Sequence, residues 1–365
     1  MEIEAAVFRD KSGIPTFEKL ELTGPLSGEV LVRMVATGVC HTDIKVAQGG
    51  FPVSMPIVLG HEGAGVVEAV GEGVQKVKPG DHVVMTFSSC GTCPSCSNAK
   101  PSYCHHTNHF VSDRAEGAHY LSSGSEPIQG DFFSQSSFST FSIGNERSVV
   151  KVREDAPLNI LGPMGCGFQA GAGAILNDLQ VGEDDTLAVF GVGALGLTAI
   201  MAAKFSGVKK VIAIDRHAER LKLAKEFGAH DIIVAGTEPV APEIMDLTSG
   251  GVNYSLDTTG VEQVMTQAVD ILAPLGVCGL VAPPSSGPEL SVHIGKLLMG
   301  RSVRGIMEGG SNPDVFIPKL INLFMEGRFP VDRLVKEYQF EDIRQAFADS
   351  ESGSTVKPIL NFTKN

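Results

Sequence analysis

This chain of 365 residues has no tryptophan, few aromatic side chains and an excess of acidic over basic groups. Its 29 Lys and Arg residues against 42 Asp and Glu residues give a net charge of −13, without a dense basic run. Because a phosphate backbone is bound by clustered basic side chains, we expect no nucleic-acid partner. The remaining composition, 43% hydrophobic and 19% charged, is that of a soluble globular protein, and the length suggests two domains.

Neither a signal peptide nor a membrane span is predicted. Glu2 and Glu4 stand where a signal peptide has basic residues. Residues 186–203 are uncharged and mostly apolar, but their glycines and β-rich start favour a buried strand, turn and helix over a membrane helix. We therefore expect a cytoplasmic protein without membrane contact, in which reduced cysteine thiols are available as metal ligands.

Four of the seven cysteines lie close together, at Cys90, Cys93, Cys96 and Cys104. The C-x2-C steps allow neighbouring thiolates to converge on one ion, and four sulfurs complete a tetrahedral zinc shell with no open position. We predict a structural zinc here in preference to a redox dithiol or unliganded thiols. A zinc ribbon for nucleic acid is disfavoured because the flanking serines and Asn98 offer no basic or aromatic contacts.

The other cysteines are isolated in the sequence. Cys40 lies in the motif GVCHTD and Cys166 in GCGF, while His61 lies between them in GHEGAG. Each alone has an ordinary interpretation as a buried core residue. Two thiolates and one imidazole together would form a zinc site with three protein ligands and an open fourth position, but the spacing does not show that they meet. Cys278, in an apolar run, is expected to be an inert core residue.

The second half of the chain alternates between strand and helix patterns. Helical crossovers between six strands make a doubly wound parallel sheet, so the predicted fold class of this half is α/β. The predicted strands cover residues 187–190, 211–214, 231–234, 252–256, 277–282 and 302–307. A helix is predicted from Ala218 to Phe227, with Gly228 as its stop signal.

A dinucleotide-binding motif opens this half. Gly191, Gly193 and Gly196 follow the first strand and precede a helix, and Asp215 follows the second strand, 24 positions after the first glycine. Glycines let a pyrophosphate approach the helix N-terminus, and the carboxylate accepts hydrogen bonds from ribose hydroxyl groups. The motif predicts NAD(H), favoured over NADP(H) because Asp215 would repel a 2′-phosphate, although Arg216 beside it keeps NADP(H) as an alternative.

In combination, these motifs resemble the zinc-dependent medium-chain alcohol dehydrogenases, over a span from about Ala5 to Phe362. The motifs that match this family are GVCHTD, GHEGAG, CGTCPSC with Cys104, GCGFQAGAG and GVGALG. Three further segments look most like the aryl (benzyl) alcohol dehydrogenase branch: GDFFSQSSFSTF, GPMGCGFQAGAG and GRFPVDRLVKEYQFEDIRQAF. The resemblance implies a mainly β GroES-like catalytic domain over residues 1–167 and 308–365, and a Rossmann NAD-binding domain over residues 168–307.

The resemblance also implies a role for each matching residue. Cys40, His61 and Cys166 would bind a catalytic zinc, Asp43 would orient the His61 imidazole, and Glu62 would lie near the metal. Two zinc ions per chain are therefore expected, one catalytic and one structural. Contacts with the cofactor are implied for His41, Gly191, Gly193, Leu195, Gly196, Asp215, Arg216, Arg220 and Lys357.

A proton relay is implied by the same motif. Thr42 matches the hydroxyl that bonds the alcohol and starts the relay. Lys45 stands where many family members have a histidine that ends it. Because lysine is a poorer proton shuttle near neutral pH, we favour a solvated Lys45 and a proton that leaves through water.

The reaction implied by the resemblance is hydride transfer between NAD(H) and a primary aromatic or allylic alcohol or its aldehyde. The alternatives are the same chemistry on a specialised biosynthetic alcohol or aldehyde, and a non-catalytic binding protein of the same fold. The candidate residues for an apolar substrate pocket are Phe87, Phe132, Phe133, Phe138 and Met307, although aromatic side chains are more often core residues.

Two expectations concern surfaces. The resemblance suggests a homodimer or homotetramer in which the strand near Ser302 to Met307 pairs across a twofold axis. The polar segment from His105 to Asp131 contains His106, His109 and His119. A third metal site is conceivable there, but a solvated loop is the commoner arrangement.

Overall fold

The computed structural model of the chain describes residues 1–106, 120–282 and 289–362. The chain divides into two compact units, Met1–Cys166 with Asn312–Asn365 and Gly167–Ser311. Each unit has its own β-sheets and hydrophobic core. Among the helices of the described ranges, none is long and apolar enough to cross a membrane.

The first unit contains a five-stranded antiparallel sheet in the order β4–β1–β2–β7–β8. Its strands are β1 (Glu2–Phe8), β2 (Thr16–Leu22), β4 (Ile57–Val58), β7 (Leu121–Ser123) and β8 (Glu126–Ile128). Side chains from β1, β2 and β4, including Phe8 and Leu20, are buried in one apolar cluster with Phe132 and Phe347. The burial of this apolar surface holds the sheet against the rest of the unit.

A second sheet of the first unit has seven strands. Its order is β10–β6–β5–β3–β18–β17, and β9 also pairs with β3. The strands are β3 (Glu29–Gly38), β5 (Gly63–Val70), β6 (His82–Met85), β9 (Phe141–Asn145), β10 (Val149–Lys151), β17 (Val335–Gln339) and β18 (Lys357–Asn361).

The register of this sheet brings motifs that are distant in the sequence to the same end of three neighbouring strands, β5, β3 and β18. β3 ends at Gly38, two residues before Cys40, and its Thr37 lies opposite Gly63 at the start of β5. β18 begins at Lys357, and its Ile359 lies opposite Gly38. The motifs around positions 40, 61 and 357 therefore leave the sheet at the same place.

The helices of the first unit are short, apart from two near its C-terminal end. They are α1 (His41–Ala47), α2 (Pro94–Ser97), α3 (Leu158–Leu161), α10 (Pro313–Met325) and α11 (Ile343–Ser352). Helix α1 begins where Cys40 has extended backbone and donates its N–H to the Asp43 carboxylate at 2.9 Å. This bond satisfies a backbone donor at the start of the helix and fixes Cys40 beside it.

The second unit is built on a six-stranded parallel sheet in the order β13–β12–β11–β14–β15–β16. The strands are β11 (Thr186–Phe190), β12 (Lys210–Asp215), β13 (Asp231–Val234), β14 (Val252–Asp257), β15 (Leu272–Leu280) and β16 (Ser302–Gly305). The predicted doubly wound α/β sheet is confirmed. Its strand order reverses direction at β11, the place where such sheets bind ligands beyond the carboxyl ends of their strands.

Helices precede and connect the parallel strands. They are α4 (Gly167–Gly173), α5 (Ala194–Phe205), α6 (Ala218–Phe227), α7 (Ala241–Thr248), α8 (Glu262–Asp270) and α9 (Ile294–Leu297), and a π-helix, Ala174–Leu179, continues α4. Helix α6 ends at Gly228, whose φ of +127° suits glycine, as predicted. Residues 186–203 form β11, a turn and most of α5, in agreement with the predicted strand, turn and helix.

Candidate active site

Cys40, His61 and Cys166 lie together in the first unit. Their two sulfur atoms and one ring nitrogen of His61 are all within 4.8 Å of one another. Ligands of one tetrahedral zinc lie roughly 3.5 to 3.8 Å apart, so small shifts would let all three bind a single ion. The sequence left open whether these residues meet, and the fold brings them together.

The two nitrogens of His61 have different surroundings. Nδ1 lies 2.8 Å from an oxygen of Asp43, and the same carboxylate accepts the backbone N–H groups of Cys40 and Gly60 at 2.9 and 3.1 Å. Nε2 is buried and has no hydrogen-bond partner among the residues that the structure describes. A buried polar atom without a partner is costly unless a ligand satisfies it, so Nε2 fits a metal ligand whose orientation Asp43 fixes.

The electrostatics of the cluster favour a cation. Burial opposes a charged His61, but the Asp43 carboxylate and the Cys40 sulfur outweigh it and raise the His61 pKa well above its usual value. A hydrogen bond with Cys166 holds the pKa of Cys40 well below that of a free thiol, against the effect of burial. Positive charge is thus stabilised between anionic groups, which is the environment that a zinc ion with thiolate ligands needs.

Glu62 and Lys357 form a buried ion pair next to these residues. Lys357 Nζ lies 2.9 and 2.8 Å from the two Glu62 carboxylate oxygens and donates to the Val39 carbonyl at 3.1 Å. Burial raises the pKa of Glu62, while the charge of Lys357 opposes that rise. Burial also opposes a charged Lys357, but Glu62 outweighs it and holds the Lys357 pKa above its usual value. The two Glu62 oxygens and the Val39 carbonyl already accept hydrogen bonds from Nζ. The cofactor contact of Lys357 stays a prediction.

The other residues of the first motif lie on α1. His41 is its first residue and is exposed, whereas Thr42 and Lys45 are half-buried. Asp43 lies next to His61, with an oxygen 2.8 Å from Nδ1, and its role in orienting a zinc ligand stays a prediction. The relay roles of Thr42 and Lys45 and the cofactor contact of His41 stay predictions.

Two of the five predicted pocket residues contact His61. The Phe133 ring is stacked on the imidazole with centroids 4.5 Å apart, and the Phe132 ring meets it edge-on at 5.4 Å. Phe138 is fully buried and packs against Phe347, so its surroundings are those of a core residue. Of the remaining two, Phe87 is buried in the same cluster and Met307 is exposed in the second unit.

The clustered cysteines also converge. Sγ of Cys90 is 4.0 Å from that of Cys96, and Sγ of Cys93 is 4.0 Å from that of Cys104. These distances are far too long for disulfides and close to the roughly 3.8 Å between sulfurs around one zinc. Backbone N–H groups of Thr92 and Cys93 donate to Cys90 and lower its pKa to about 5, whereas burial raises the pKa of Cys96 to about 12.

Two groups of described residues could hold a metal ion, and they are the two predicted sets. His105, next to the cysteine cluster, lies 3.1 Å from the Ser95 hydroxyl through Nε2. His109 and His119 lie outside the described residues.

In the second unit, the glycine motif lies between β11 and α5, the predicted strand and helix. Gly191 has a φ of +85°, and a Cβ added at Gly196 would lie 2.0 Å from the Gly191 carbonyl oxygen. Among the described residues, a Cβ at Gly193 would have one neighbour within 4 Å, Arg220 Nη1 at 3.9 Å. Gly191 and Gly196 are therefore needed by the fold, whereas Gly193 leaves open space at the start of α5, where a pyrophosphate would approach.

Asp215 ties this loop to the next strand. Its carboxylate accepts the backbone N–H groups of Val192 and His217, each at 2.8 Å. Nε of Arg220 is buried and has no hydrogen-bond partner in the described part of the chain, and burial lowers the pKa of this guanidinium. Arg216 Nε lies 3.1 Å from the His217 ring. Leu195 lies half-buried on the first turn of α5.

One buried residue beside His61 was not singled out from the sequence. The Gln135 amide accepts the N–H of Gly63 and donates to the carbonyl of His61. A glutamine within a run of serines and phenylalanines gives no signal of such a position. It was missed because only the fold brings residue 135 to residue 61.

The chain matches known proteins along its whole length. Residues 26–154 match the family described as "Alcohol dehydrogenase GroES-like domain", and residues 194–325 match "Zinc-binding dehydrogenase". Geraniol dehydrogenase from Castellaniella defragrans is 41% identical over 364 residues, which cover 98% of this chain and 97% of that protein.

Two solved structures are similar throughout. The alcohol dehydrogenase zinc-binding domain protein from Burkholderia ambifaria superposes with a TM-score of 0.96 at 44% identity. Benzyl alcohol dehydrogenase from Acinetobacter calcoaceticus superposes with a TM-score of 0.96 at 41% identity. Each comparison covers 100% of both chains. With its GroES-like and Rossmann parts and its two cysteine-containing candidate metal sites, the chain belongs to the zinc-binding alcohol dehydrogenase family.

Proposed function

We propose that this alcohol oxidoreductase transfers a hydride between NAD(H) and a primary aromatic or allylic alcohol or its aldehyde. The observation that carries the proposal is the convergence of Cys40, His61 and Cys166 around an unpartnered Nε2. Geraniol is an allylic alcohol and benzyl alcohol an aromatic one, so the substrates named for two similar proteins support this substrate class.

The protein would prepare the reaction by holding its ligands in place. A zinc ion bound by Cys40, His61 and Cys166 would supply Lewis acidity that lowers the pKa of an alcohol. With zinc bound, Asp43 would hold a proton on Nδ1 of His61, 2.8 Å away, and leave Nε2 to the metal. The Thr42 hydroxyl would receive the alcohol proton and pass it on, and the rings of Phe132 and Phe133 exclude water from one side of His61.

The cofactor would lie along the carboxyl ends of β11 and β12. When bound, it would accept the hydride at its nicotinamide ring. The open space at Gly193 supports a pyrophosphate at the start of α5, and the position of Asp215 at the end of β12 supports hydrogen bonds from ribose hydroxyl groups to its carboxylate. A carboxylate there repels a 2′-phosphate, which supports NAD(H) over NADP(H) even with Arg216 and Arg220 nearby.

We also propose the catalytic and cofactor domains and the assembly implied by the sequence. The catalytic domain would comprise residues 1–167 and 308–365, and the cofactor domain residues 168–307. The two compact units support this division. β16 is an edge strand of the parallel sheet and is mostly exposed, which supports a homodimer or homotetramer paired through it.

Measuring NADH formation across benzylic, allylic and aliphatic primary alcohols tests the reaction. We expect turnover with the first two classes, about two zinc ions per chain, and loss of turnover with one zinc in Cys166→Ala. Failure to form NADH from any of these alcohols, in protein that binds both zinc and NAD, would favour the non-catalytic alternative. Turnover restricted to another class of alcohol would agree with an alcohol dehydrogenase but would refute the proposed substrate class.

A further inference from the structure

The Gln135 side chain lies against the backbone around the ligand His61. It is fully buried, its Oε1 accepts the N–H of Gly63 at 3.0 Å, and its Nε2 donates to the carbonyl of His61 at 2.9 Å. On the opposite side, the backbone N–H of Gly38 donates to the carbonyl of Glu62 at 2.9 Å. The backbone of residues 61–63 is thus hydrogen-bonded both to Gly38 at the end of β3 and to the side-chain amide of Gln135.

The same amide leads to a second ligand. Gln135 Nε2 also lies 3.4 Å from the carbonyl of Thr86, and the Thr86 hydroxyl donates to the carbonyl of Gly165 at 2.6 Å. Thr86 is fully buried, and Gly165 directly precedes Cys166. Gln135 and Thr86 therefore connect the backbone of His61 with the backbone of Cys166.

Asp43 makes the corresponding connection to the third ligand. Its carboxylate lies 2.8 Å from His61 Nδ1 and accepts a hydrogen bond from the backbone N–H of Cys40. Cys40, His61 and Cys166 are separated by 20 and 104 residues in the sequence, so their relative positions depend on such cross-links. The two connections, one through Asp43 and one through Gln135 and Thr86, together join all three ligands.

The backbone around Gln135 has an uncommon conformation. Asp131, Phe133, Ser134 and Ser136 have φ values of 64°, 53°, 58° and 51°, in the left-handed region that residues other than glycine rarely adopt. Such strain persists where the surroundings determine it, and it is concentrated at functional sites. This conformation presents the amide of Gln135 and the rings of the two preceding phenylalanines to His61 at the same time.

The Ser136 hydroxyl holds this backbone in place. It accepts the N–H of Phe132 at 3.0 Å and donates to the carbonyl of Val58 at 2.6 Å. Val58 belongs to β4 and lies three residues before His61. The segment is thus anchored to the strand that leads into the ligand loop, which keeps Gln135 in register with His61.

We propose that Gln135 and Thr86 are positioning residues that fix His61 and Cys166 relative to each other and so set the geometry and retention of the catalytic zinc. The proposal rests on the proposed zinc function. Neither residue is a metal ligand, and each acts through the backbone of one. Partners of this kind change metal affinity by about 10- to 100-fold when removed.

The test compares two substitutions at Thr86 with one at Gln135. Thr86→Val removes the hydroxyl but keeps the shape, Thr86→Ser keeps the hydroxyl, and Gln135→Leu removes the amide. Ser139→Ala is the matched control, because this buried hydroxyl of the same segment donates to the carbonyls of Ser136 and Phe141 and, in the described part of the chain, bonds none of the three candidate ligands. Zinc loss to an excess of chelator and the visible spectrum of the Co²⁺-substituted protein are measured for each.

We expect Thr86→Val and Gln135→Leu to lose one zinc per chain at least tenfold faster than the parent and to shift the cobalt–thiolate absorption. Thr86→Ser should restore both properties, and Ser139→Ala should leave them unchanged even if its unfolding temperature falls. If Gln135→Leu does not fold, the Val and Ser pair at Thr86 decides the question.

Parent-like zinc loss and spectra in Thr86→Val, with only a lower unfolding temperature, would overturn the proposal and leave a structural role. The metal content of the parent protein and of Cys166→Ala tests the proposed function separately. If the parent protein binds only one metal per chain, and Cys166→Ala binds as much, the site at Cys40, His61 and Cys166 is not a zinc site.

Discussion

The contact between the Asp43 carboxylate and His61 determines which ring nitrogen of the imidazole is left for a ligand. Asp43 engages Nδ1, and its other contacts, to Cys40 and Gly60, fix the carboxylate itself. Nε2 is left buried and without a protein hydrogen bond in the described part of the chain. Nε2 is therefore the ring nitrogen that His61 would offer to a metal in the proposed function, and the sulfurs of Cys40 and Cys166 would complete the ligand set.

The first prediction concerns Asp43. Replacing it by Asn keeps its size but removes the charge that favours the oriented imidazole. We expect Asp43→Asn to bind the catalytic zinc about 10- to 100-fold more weakly, measured as zinc content after dialysis against graded chelator. Asp155→Asn, which alters an exposed carboxylate paired with Arg153, is the control and should retain both zinc ions. Equal retention in the two variants would show that Asp43 does not support the metal.

Cys278 is the opposite case, a thiol that the fold makes inert. It is buried in the core of the parallel sheet, and burial raises its pKa to about 12. Since the thiolate is the nucleophile, a thiol that stays protonated throughout the range from pH 6 to 10 reacts poorly.

We therefore predict that iodoacetamide labels Cys278 at pH 8 only after the protein is unfolded. Mass spectrometry of the peptide that contains Cys278 measures the labelled fraction, and protein unfolded in denaturant gives the full value. Labelling of the native protein at the rate of an exposed thiol would contradict both the burial and the raised pKa.

At the scale of elements, the turn between β11 and α5 separates two uses of glycine. Gly191 and Gly196 are required by the backbone, since an added Cβ would lie 2.5 Å from Thr258 and 2.0 Å from the Gly191 carbonyl, respectively. Gly193 is not crowded by any residue that the structure describes. Its lack of a side chain has a use only if something else approaches, and the cofactor pyrophosphate is that ligand in the proposed function.

This contrast gives a prediction about binding without loss of stability. Gly193→Ala should unfold within about 1 °C of the parent but bind NADH at least tenfold more weakly, because the new methyl group occupies the approach to the start of α5. Fluorescence titration with NADH measures the affinity. Gly236→Ala, another glycine of this unit with open space around it, is the matched control and should bind normally. Parent-like affinity in Gly193→Ala would place the pyrophosphate elsewhere.

The elements themselves were largely predictable, because each depends on local pattern. The strand from Asp231 to Val234 and the helix from Ala218 to Phe227 have the predicted bounds. The largest difference is β15, predicted at residues 277–282 and found at Leu272–Leu280. Its early part contains Pro274 and a left-handed Leu275, which mask the strand pattern in the sequence. Local conformation set by neighbouring strands is not visible in a pattern of alternating residues.

At the scale of the whole molecule, the metal site depends on how distant segments are joined. The sequence supplied the ligand types at positions 40, 61 and 166, yet no spacing rule connects residues so far apart. The register of the seven-stranded sheet does so, and it also brings Lys357 from the far end of the chain to Glu62. Gln135 escaped prediction for the same reason, whereas the clustered cysteines were predictable because their spacing is local.

The two metal sites should therefore differ in what they support. In the proposed function, a zinc bound by the four clustered cysteines would have no open position, whereas one bound by Cys40, His61 and Cys166 would leave one position for substrate. Removing one ligand from each site should separate stability from catalysis. Zinc content, unfolding temperature and alcohol turnover, measured on the same preparations, compare them.

We expect Cys166→Ser and Cys104→Ser each to hold one zinc fewer than the parent. Cys166→Ser should lose turnover by at least a thousandfold and unfold near the parent temperature. Cys104→Ser should unfold earlier, by roughly 2 to 4 °C for each kcal/mol of lost stability, and keep measurable turnover below that temperature. Complete loss of turnover in a folded Cys104→Ser protein would mean that the closed site also shapes the open one. Unchanged zinc content in either variant would show that the substituted cysteine does not bind zinc.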